Sequence, residues 1–418
     1  MNLFVIIALL VMVSAGYSYI NARFIKLPVT IGIMTIGTIV SIIIIVLDRI
    51  NPAFQKYLTA LAKNIDFSEA VLNIMLGFLL FAGSFNIDTN KLKREMRPVL
   101  LLSTISVILS TAAFGFLFYY GMRLFDINVP LIYCFLFGAV VSPTDPVAVS
   151  AVIGKSKLPS HLGTIIAGES LFNDGVGLVL FITILEIIQT NSTKIDVMQT
   201  TMLFCREVFG GVGLGLFCGY IAYRLMKSIT DFQTIVLLSL ALVMSLSLMA
   251  TYWHLSVPLA VVSAGIILGI RSININNKET SHQSLERFWK LIDEILNTIL
   301  FVMIGLQIIE LPFLNNYWIT GSVSIVLILV ARWISIALPL TFLRKSLNIK
   351  YKDVNILTWA GLRGGISIAL ALSLPHNKYR YIVLAGSYFI VLFSVIVQGL
   401  SLNALIGRSY RKEEELIS

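Results

Sequence analysis

The sequence predicts an all-α polytopic membrane protein of about thirteen spanning helices, and three observations carry that prediction. Of 418 residues, 57% are hydrophobic and only 13% are charged, against roughly 25% charged in an ordinary soluble chain. Apolar runs of about 20 residues, the length that crosses a bilayer as a helix, recur along the whole chain. The basic residues are sorted between alternate connections, as the positive-inside rule requires. The mean hydropathy of +0.89 agrees.

Thirteen apolar segments follow in order: 2–20, 28–47, 68–87, 98–121, 130–153, 162–186, 203–223, 233–252, 256–270, 291–309, 318–343, 353–374 and 381–405. The first lacks a basic stretch ahead of its apolar run, so it reads as a spanning helix and not as a secretory leader. The ninth is the shortest. Backbone groups in lipid have to pair within their own segment, which makes each run a helix and not an open strand.

With the N-terminus outside, the cytoplasmic connections collect most of the Lys and Arg. Lys91, Lys93, Arg94 and Arg97 follow segment three, and Arg344, Lys345, Lys350 and Lys352 follow segment eleven. The outer connections hold only Arg49, Lys56, Lys63, Arg123, Lys194, Lys378 and Arg380. The chain is therefore expected in the cell membrane, with an outside N-terminus and a cytoplasmic C-terminus. The net charge of +9 belongs to this topology and does not imply a nucleic-acid partner.

The connections carry little else. The longest hydrophilic stretch, "RSININNKETSHQSLERFWK", joins segments nine and ten, and about a dozen residues follow segment thirteen. Cys134, Cys205 and Cys218 lie scattered in apolar stretches, no disulfide framework and no metal site, so they are expected as small buried side chains. Gly211, Gly213, Gly215 and Gly219 crowd segment seven and predict close helix packing. Arg206, near a span end, can snorkel.

Five charges lie deep in the spans: Asp145, Glu169, Asp174, Arg332 and Arg363. Left unpaired they cost on the order of 12–17 kcal/mol by insertion scales. Ion pairing that merely holds helices together accounts for some of them, and Glu169 suits such a pair with a buried arginine. Segment five reads "SPTDPVAVS". Pro143 and Pro146 bracket Thr144 and Asp145, and two prolines three apart unwind a helix. Segment twelve reads "AGLRGGIS", where Gly361, Gly364 and Gly365 weaken the helix around Arg363. Broken backbone at membrane depth is tolerated where it lines a cavity or is buried in protein. If segments one to six repeat as eight to thirteen, with seven as linker, the two breaks fall at equivalent places. Paired interrupted helices in two halves point to a transporter's midplane site. The half-helix ends need an acid at the N-terminal side and a base at the C-terminal side, which Asp145 and Arg363 can supply.

Glu169 and Asp174 are five residues apart, about 140° around a helix. One can pair with an arginine while the other faces water. Ser170, four residues before Asp174, shares its face. Oxygen donors from Asp174, Asp145, Thr144 and Ser170 suit a hard cation such as Na⁺, not a transition metal.

These residues resemble a known family. "SPTDPVAV" (Ser142 to Val149), "GESLFNDG" (Gly168 to Gly175), "AGLRGGISIALALSLP" (Ala360 to Pro375) and "VQGLSL" (Val397 to Leu402) resemble the cation:proton antiporter-1 family, the sodium/proton antiporters related to animal sodium/hydrogen exchangers. The resemblance spans nearly the whole chain. It implies an inverted repeat with two crossing broken helices and a homodimer. It also implies scaffold and dimerisation helices over 1–97, core helices over 98–190, a linker and scaffold over 191–315, core helices over 316–405 and a short cytoplasmic tail over 406–418. By resemblance Asp174 carries the cation or proton, with Asp145, Thr144, Asn173 and Ser170 around it. Glu169 is similarly the acid that pairs with Arg332 of "VARWIS", and Arg363 sits at the second crossover. Where some archaeal relatives resemble "LFEGG" in segment three, this chain has Ala82, so no acid there helps to hold the ion.

The implied activity is antiport of Na⁺ or Li⁺ against H⁺ by alternating access, with K⁺/H⁺ exchange as the alternative within the family. Asp174 binds a cation or a proton in turn, and desolvation and the nearby Asp145 favour its protonated form. Asn173 is uncharged where electrogenic relatives resemble this chain but carry a second Asp, so one titrating carboxylate predicts one proton per cation and electroneutral exchange. No cofactor is expected beyond the transported ions, and the partners expected are the cation, the proton, the bilayer and a second copy. Other classes fit less well. An intramembrane aspartyl protease needs GxGD, whereas the order here is Asp174-Gly175-Val176-Gly177. An intramembrane serine protease needs a membrane histidine, and His161, His254, His282 and His376 fall in loops or at span ends. A cation channel would pass current without moving protons.

Overall fold

The structure, a computed structural model, describes residues 3–48, 67–145, 149, 158–190, 197–272, 279–308, 317–347 and 349–417. Every regular element among these residues is a helix. In chain order they are α1 (Leu3–Ile20), running on into a π-helical turn (Asn21–Ile25); α2 (Val29–Asp48); α3 (Phe67–Asn86); α4 (Thr89–Arg94); α5 (Met96–Arg123); α6 (Leu131–Val141); α7 (Ser160–Gln189); and α8 (Val197–Lys227). There follow α9 (Phe232–Tyr252), α10 (Val257–Ser272), α11 (Glu279–Gln307), α12 (Tyr317–Leu347), α13 (Tyr351–Trp359), α14 (Gly365–Leu372), α15 (Lys378–Leu392) and α16 (Gly399–Ile417), the last two joined by a π-helical stretch (Phe393–Gln398).

Each of the thirteen apolar segments has described residues on one or more of these helices. Nine of the described helices are long and apolar enough to span a bilayer. α6 and the apolar part of α10 are shorter. Segment ten is the apolar end of α11, and segment twelve is split between α13 and α14. The chain is thus a multi-pass membrane protein. The helix that carries segment ten is longer than the apolar run because α11 begins at Glu279, inside the hydrophilic stretch. There Leu285 and Trp289 bury one stripe while the charged residues face away, so amphipathicity and not hydropathy holds those turns. The C-terminal residues likewise continue as helix to Ile417. Tyr410 Oη donates to Asp353 Oδ1 at 2.9 Å, which docks α16 on α13.

Two sets of contacts organise the packing. α5 lies against α6 and α12, α12 against α15, α7 against α6 and the start of α5, and α14 against α15. The order long helix, interrupted helix, long helix therefore occurs twice: α5, α6 and α7, then α12, α13–α14 and α15. The second set is α8 on α10, α10 on α3, and α11 on α2 and α3. The glycines of α8 explain how near α10 comes. A Cβ on Gly211 would meet Ser256 O at 2.7 Å and one on Gly219 would meet Ala264 Cα at 2.9 Å. One on Gly215 would collide with Ala260 O, whereas Gly213 faces open space. Backbones this close need the small residue.

The cysteines correct one expectation. Cys134 is buried, but Cys218 is only partly so and Cys205 is exposed. In a bilayer the outward face of a helix is as apolar as its inward face, so an apolar neighbourhood does not imply burial.

Candidate functional site

The two interrupted helices meet at their breaks. α6 stops at Val141, and Ser142 to Asp145 leave the helix. Residues 146–148 and 150–157, with Pro146, lie outside the described residues. α13 stops at Trp359, and α14 resumes at Gly365. One backbone hydrogen bond ties the breaks together, from Asp145 N to Leu362 O at 2.7 Å.

Each break supplies the charge that the other's helix end needs. Arg363 Nη1 donates to Ser142 O at 2.7 Å and Pro143 O at 3.1 Å. These are carbonyls at the end of α6, where a helix leaves acceptors unpaired and carries partial negative charge. In return the Asp145 carboxylate lies against Gly364, the residue before α14, where a Cβ would collide with it. A carboxylate at a helix N-terminus faces partial positive charge. None of the described glycines has positive φ, so the glycines of "GLRGG" are needed here for room. A Cβ on Gly361 would sit 3.0 Å from Arg332 Nε and 3.4 Å from Thr144 Cγ2.

The middle of α7 crosses beside this junction. Thr144 Oγ1 and Ser170 Oγ share a hydrogen bond at 2.8 Å, and Asn173 Nδ2 donates to Thr144 Oγ1 at 2.7 Å. With its amide nitrogen so engaged, Asn173 turns Oδ1 away, and that oxygen has no hydrogen-bond partner. Asp174 is 3% exposed, and its Oδ2 is buried and equally without one. The charged groups that act on Asp174 are Asp145 and Arg363. The expectation that the second acid of α7 faces water is thereby corrected. Asp174 is enclosed, because Leu259 of α10 presses on α7 at Gly175, where a Cβ would come within 2.6 Å.

Glu169 points elsewhere. Its Oε1 lies 2.5 Å from Arg332 Nη2, and both side chains are almost fully buried. The contact is an ion pair and not an aligned hydrogen bond, since Glu169 Oε1 and Arg332 Nε and Nη1 are without hydrogen-bond partners. Beside Arg332 lies a cavity of about 10 Å³, lined also by Arg363, Thr358, Ser394 and Gln398, room for about one water.

Two buried polar residues of this region were given no role from the sequence, although Gln398 lies in the "VQGLSL" stretch. Ser394 accepts from Arg363 N at 3.0 Å and donates to Gln398 Oε1. Gln398 Nε2 donates to Trp359 O at 3.2 Å. Both belong to the π-helical stretch between α15 and α16, and both hold the second break open. A buried glutamine within an apolar run was the available signal. Ala82 is fully buried in an apolar cluster with Phe81, Phe85 and Trp289.

The donors gathered here are carboxylate, hydroxyl and amide oxygens, a set for a hard cation. Among the described residues no three His, Cys, Asp or Glu converge.

Known proteins carry the same chain plan. A model of the transmembrane sodium/hydrogen exchangers matches residues 6–407. The chain is 38% identical to the Na(+)/H(+) antiporter NhaP of Pseudomonas aeruginosa, over 97% of this chain and 96% of that protein. It is 29% identical to the Na(+)/H(+) antiporter NhaH of Halobacillus dabanensis, over 97% of this chain and 98% of that one. Its fold matches that of the sodium proton antiporter MjNhaP1 of Methanocaldococcus jannaschii with a TM-score of 0.78 at 20% identity, covering 97% of this chain and 99% of the other. The chain belongs to the sodium/hydrogen exchanger family.

Proposed function

We propose that the chain is a secondary active transporter that exchanges Na⁺, or Li⁺, for H⁺ at Asp174. One observation carries the reading: a carboxylate sits at the helix crossing, enclosed by protein, with one oxygen that no protein donor satisfies. An ionised group in such a place is costly unless a cation or a proton neutralises it. Either ligand leaves the loaded site with the same charge, so the two compete for one seat, and competition at one seat is exchange. The antiporter relatives support Na⁺ as the cation.

The neighbours divide the remaining work. Asp145, Thr144, Ser170 and Asn173 Oδ1 offer further oxygens to the cation. Asn173 adds no charge, so one proton moves per cation and the exchange carries no net current. Glu169 and Arg332 brace α7 against α12, and Arg363 caps the end of α6. The core helices of 98–190 and 316–405 carry the site, while the helices of 1–97 and 191–315 serve as scaffold and as the contact between two copies. The N-terminus faces outward and the tail over 406–418 is cytoplasmic.

Proteoliposomes loaded with a pH-sensitive dye test the reading. Addition of Na⁺ or Li⁺ to vesicles holding a pH gradient should collapse the gradient, and K⁺ should do so far less. Collapse by K⁺ alone would make this a K⁺/H⁺ exchanger, and no collapse by any cation would end the proposal.

A further inference from the structure

Arg332 carries donors that the protein does not use. Its side chain is almost fully buried, and Nη2 meets Glu169. Nε and Nη1 have no hydrogen-bond partner. A buried charged donor left unpaired is costly, so such groups find a partner in protein or in bound water.

Room for that partner lies against Arg332. The cavity of about 10 Å³ is lined by Arg332 and Gly361, and also by Thr358, Ser394 and Gln398. Gly361 keeps the space clear. A Cβ there would sit 3.0 Å from Arg332 Nε and 3.3 Å from Thr358 O. A donor and an acceptor therefore flank one small space where a side chain is missing. Thr358 O, in the last turn of α13, accepts a long bond from Gly361 N at 3.3 Å. Gln398 Oε1 accepts from Ser394 Oγ. Each of these carbonyl oxygens has two lone pairs and so has capacity for one bond more. In so small a cavity a single occupant is within reach of all of them.

We propose that this cavity is a binding site for one water molecule, which accepts from Arg332 Nε, donates to Thr358 O and Gln398 Oε1, and so joins the Glu169–Arg332 pair to the second helix break. Three hydrogen bonds are usual for a buried water, and the volume is enough for one. A halide is the wrong occupant despite the two arginines. It needs donors around it, and here carbonyl oxygens form part of the wall, while Glu169 already neutralises Arg332. The bridge gives Gln398 a second task. It holds Trp359 O and Ser394 directly, and it holds Arg332 through the water. The site does not depend on which cation the chain carries.

The test is a crystal structure of the full chain at about 2 Å, from crystals grown in sodium bromide. The expected result is a water peak within hydrogen-bonding distance of Arg332 Nε and Thr358 O, with no anomalous signal from bromide. Gly361→Ala puts a methyl group into the same space and should lack the peak. Should that variant fail to fold, Gln398→Leu removes one acceptor and should weaken or abolish the peak. Melting curves then read the bridge itself. The fall in melting temperature of the double variant Glu169→Gln/Gln398→Leu should be clearly smaller than the sum of the two single falls, since each single change already breaks the same connection. An empty cavity, a bromide signal, a peak that persists in Gly361→Ala, or additive falls in melting temperature would each overturn the proposal.

Discussion

Two carboxylates on α7, five residues apart, are equally sealed from water: Glu169 is 1% exposed and Asp174 3%. Their surroundings differ in kind. Glu169 meets Arg332 at 2.5 Å, a buried pair whose partners neutralise each other. Asp174 has a bare oxygen, with Asp145 and Arg363 acting on it from the helix crossing. The 140° turn between the two positions sends one toward α12 and the other toward the breaks. Burial alone therefore does not distinguish brace from seat. What distinguishes them is whether the protein itself supplies the counter-charge.

Replacing each acid by its amide turns the contrast into measurements. The largest effect expected is on transport by Asp174→Asn, which should insert and melt like the wild type yet exchange nothing, because an amide neither titrates nor holds Na⁺ as a carboxylate does. Normal exchange by this variant in dye-loaded vesicles would remove Asp174 from the mechanism. Next comes stability. Glu169→Gln leaves the Arg332 cation buried without its partner, a loss of about 3–5 kcal/mol, so its melting temperature should fall well below that of Asp174→Asn. The reverse order would exchange the two roles.

The smallest effect expected is zero. With Asn173 beside Asp174, a single carboxylate alternates between cation and proton and no net charge crosses. In vesicles clamped with potassium and valinomycin, Na⁺-driven proton movement should run at the same rate and to the same end point with and without an imposed potential. A clear dependence on voltage would mean that a second group titrates with Asp174.

Much of this was legible in the sequence because the bilayer imposes a simple length rule. The segments stood out wherever apolar runs reached about 20 residues. The breaks stood out because Pro143, Gly364 and their neighbours are residues that interrupt helices. What stayed hidden depended on distances between segments. Nothing in "FSVIVQ" announces a π-helical stretch, yet that stretch brings Ser394 and Gln398 to the second break. The enclosure of Asp174 depends on Leu259, more than 80 residues away along the chain, reaching Gly175. The first turns of α11 were masked by their polarity, although Trp289 there is fully buried.

The collision at Gly364 has a consequence for how such a chain can diverge. The space a side chain would need at position 364 is filled by an acid from the other half of the molecule. Neither position is free to drift alone. An alanine at 364 displaces Asp145, and a longer acid at 145 presses on a backbone that is already tied to it from Asp145 N to Leu362 O. Changes at the two places should be strongly non-additive, as contacting positions are. The halves of the chain, whatever their separate histories, are therefore bound to change together at this junction, and a graft of one half from a distant relative has to bring the matching residues of the other.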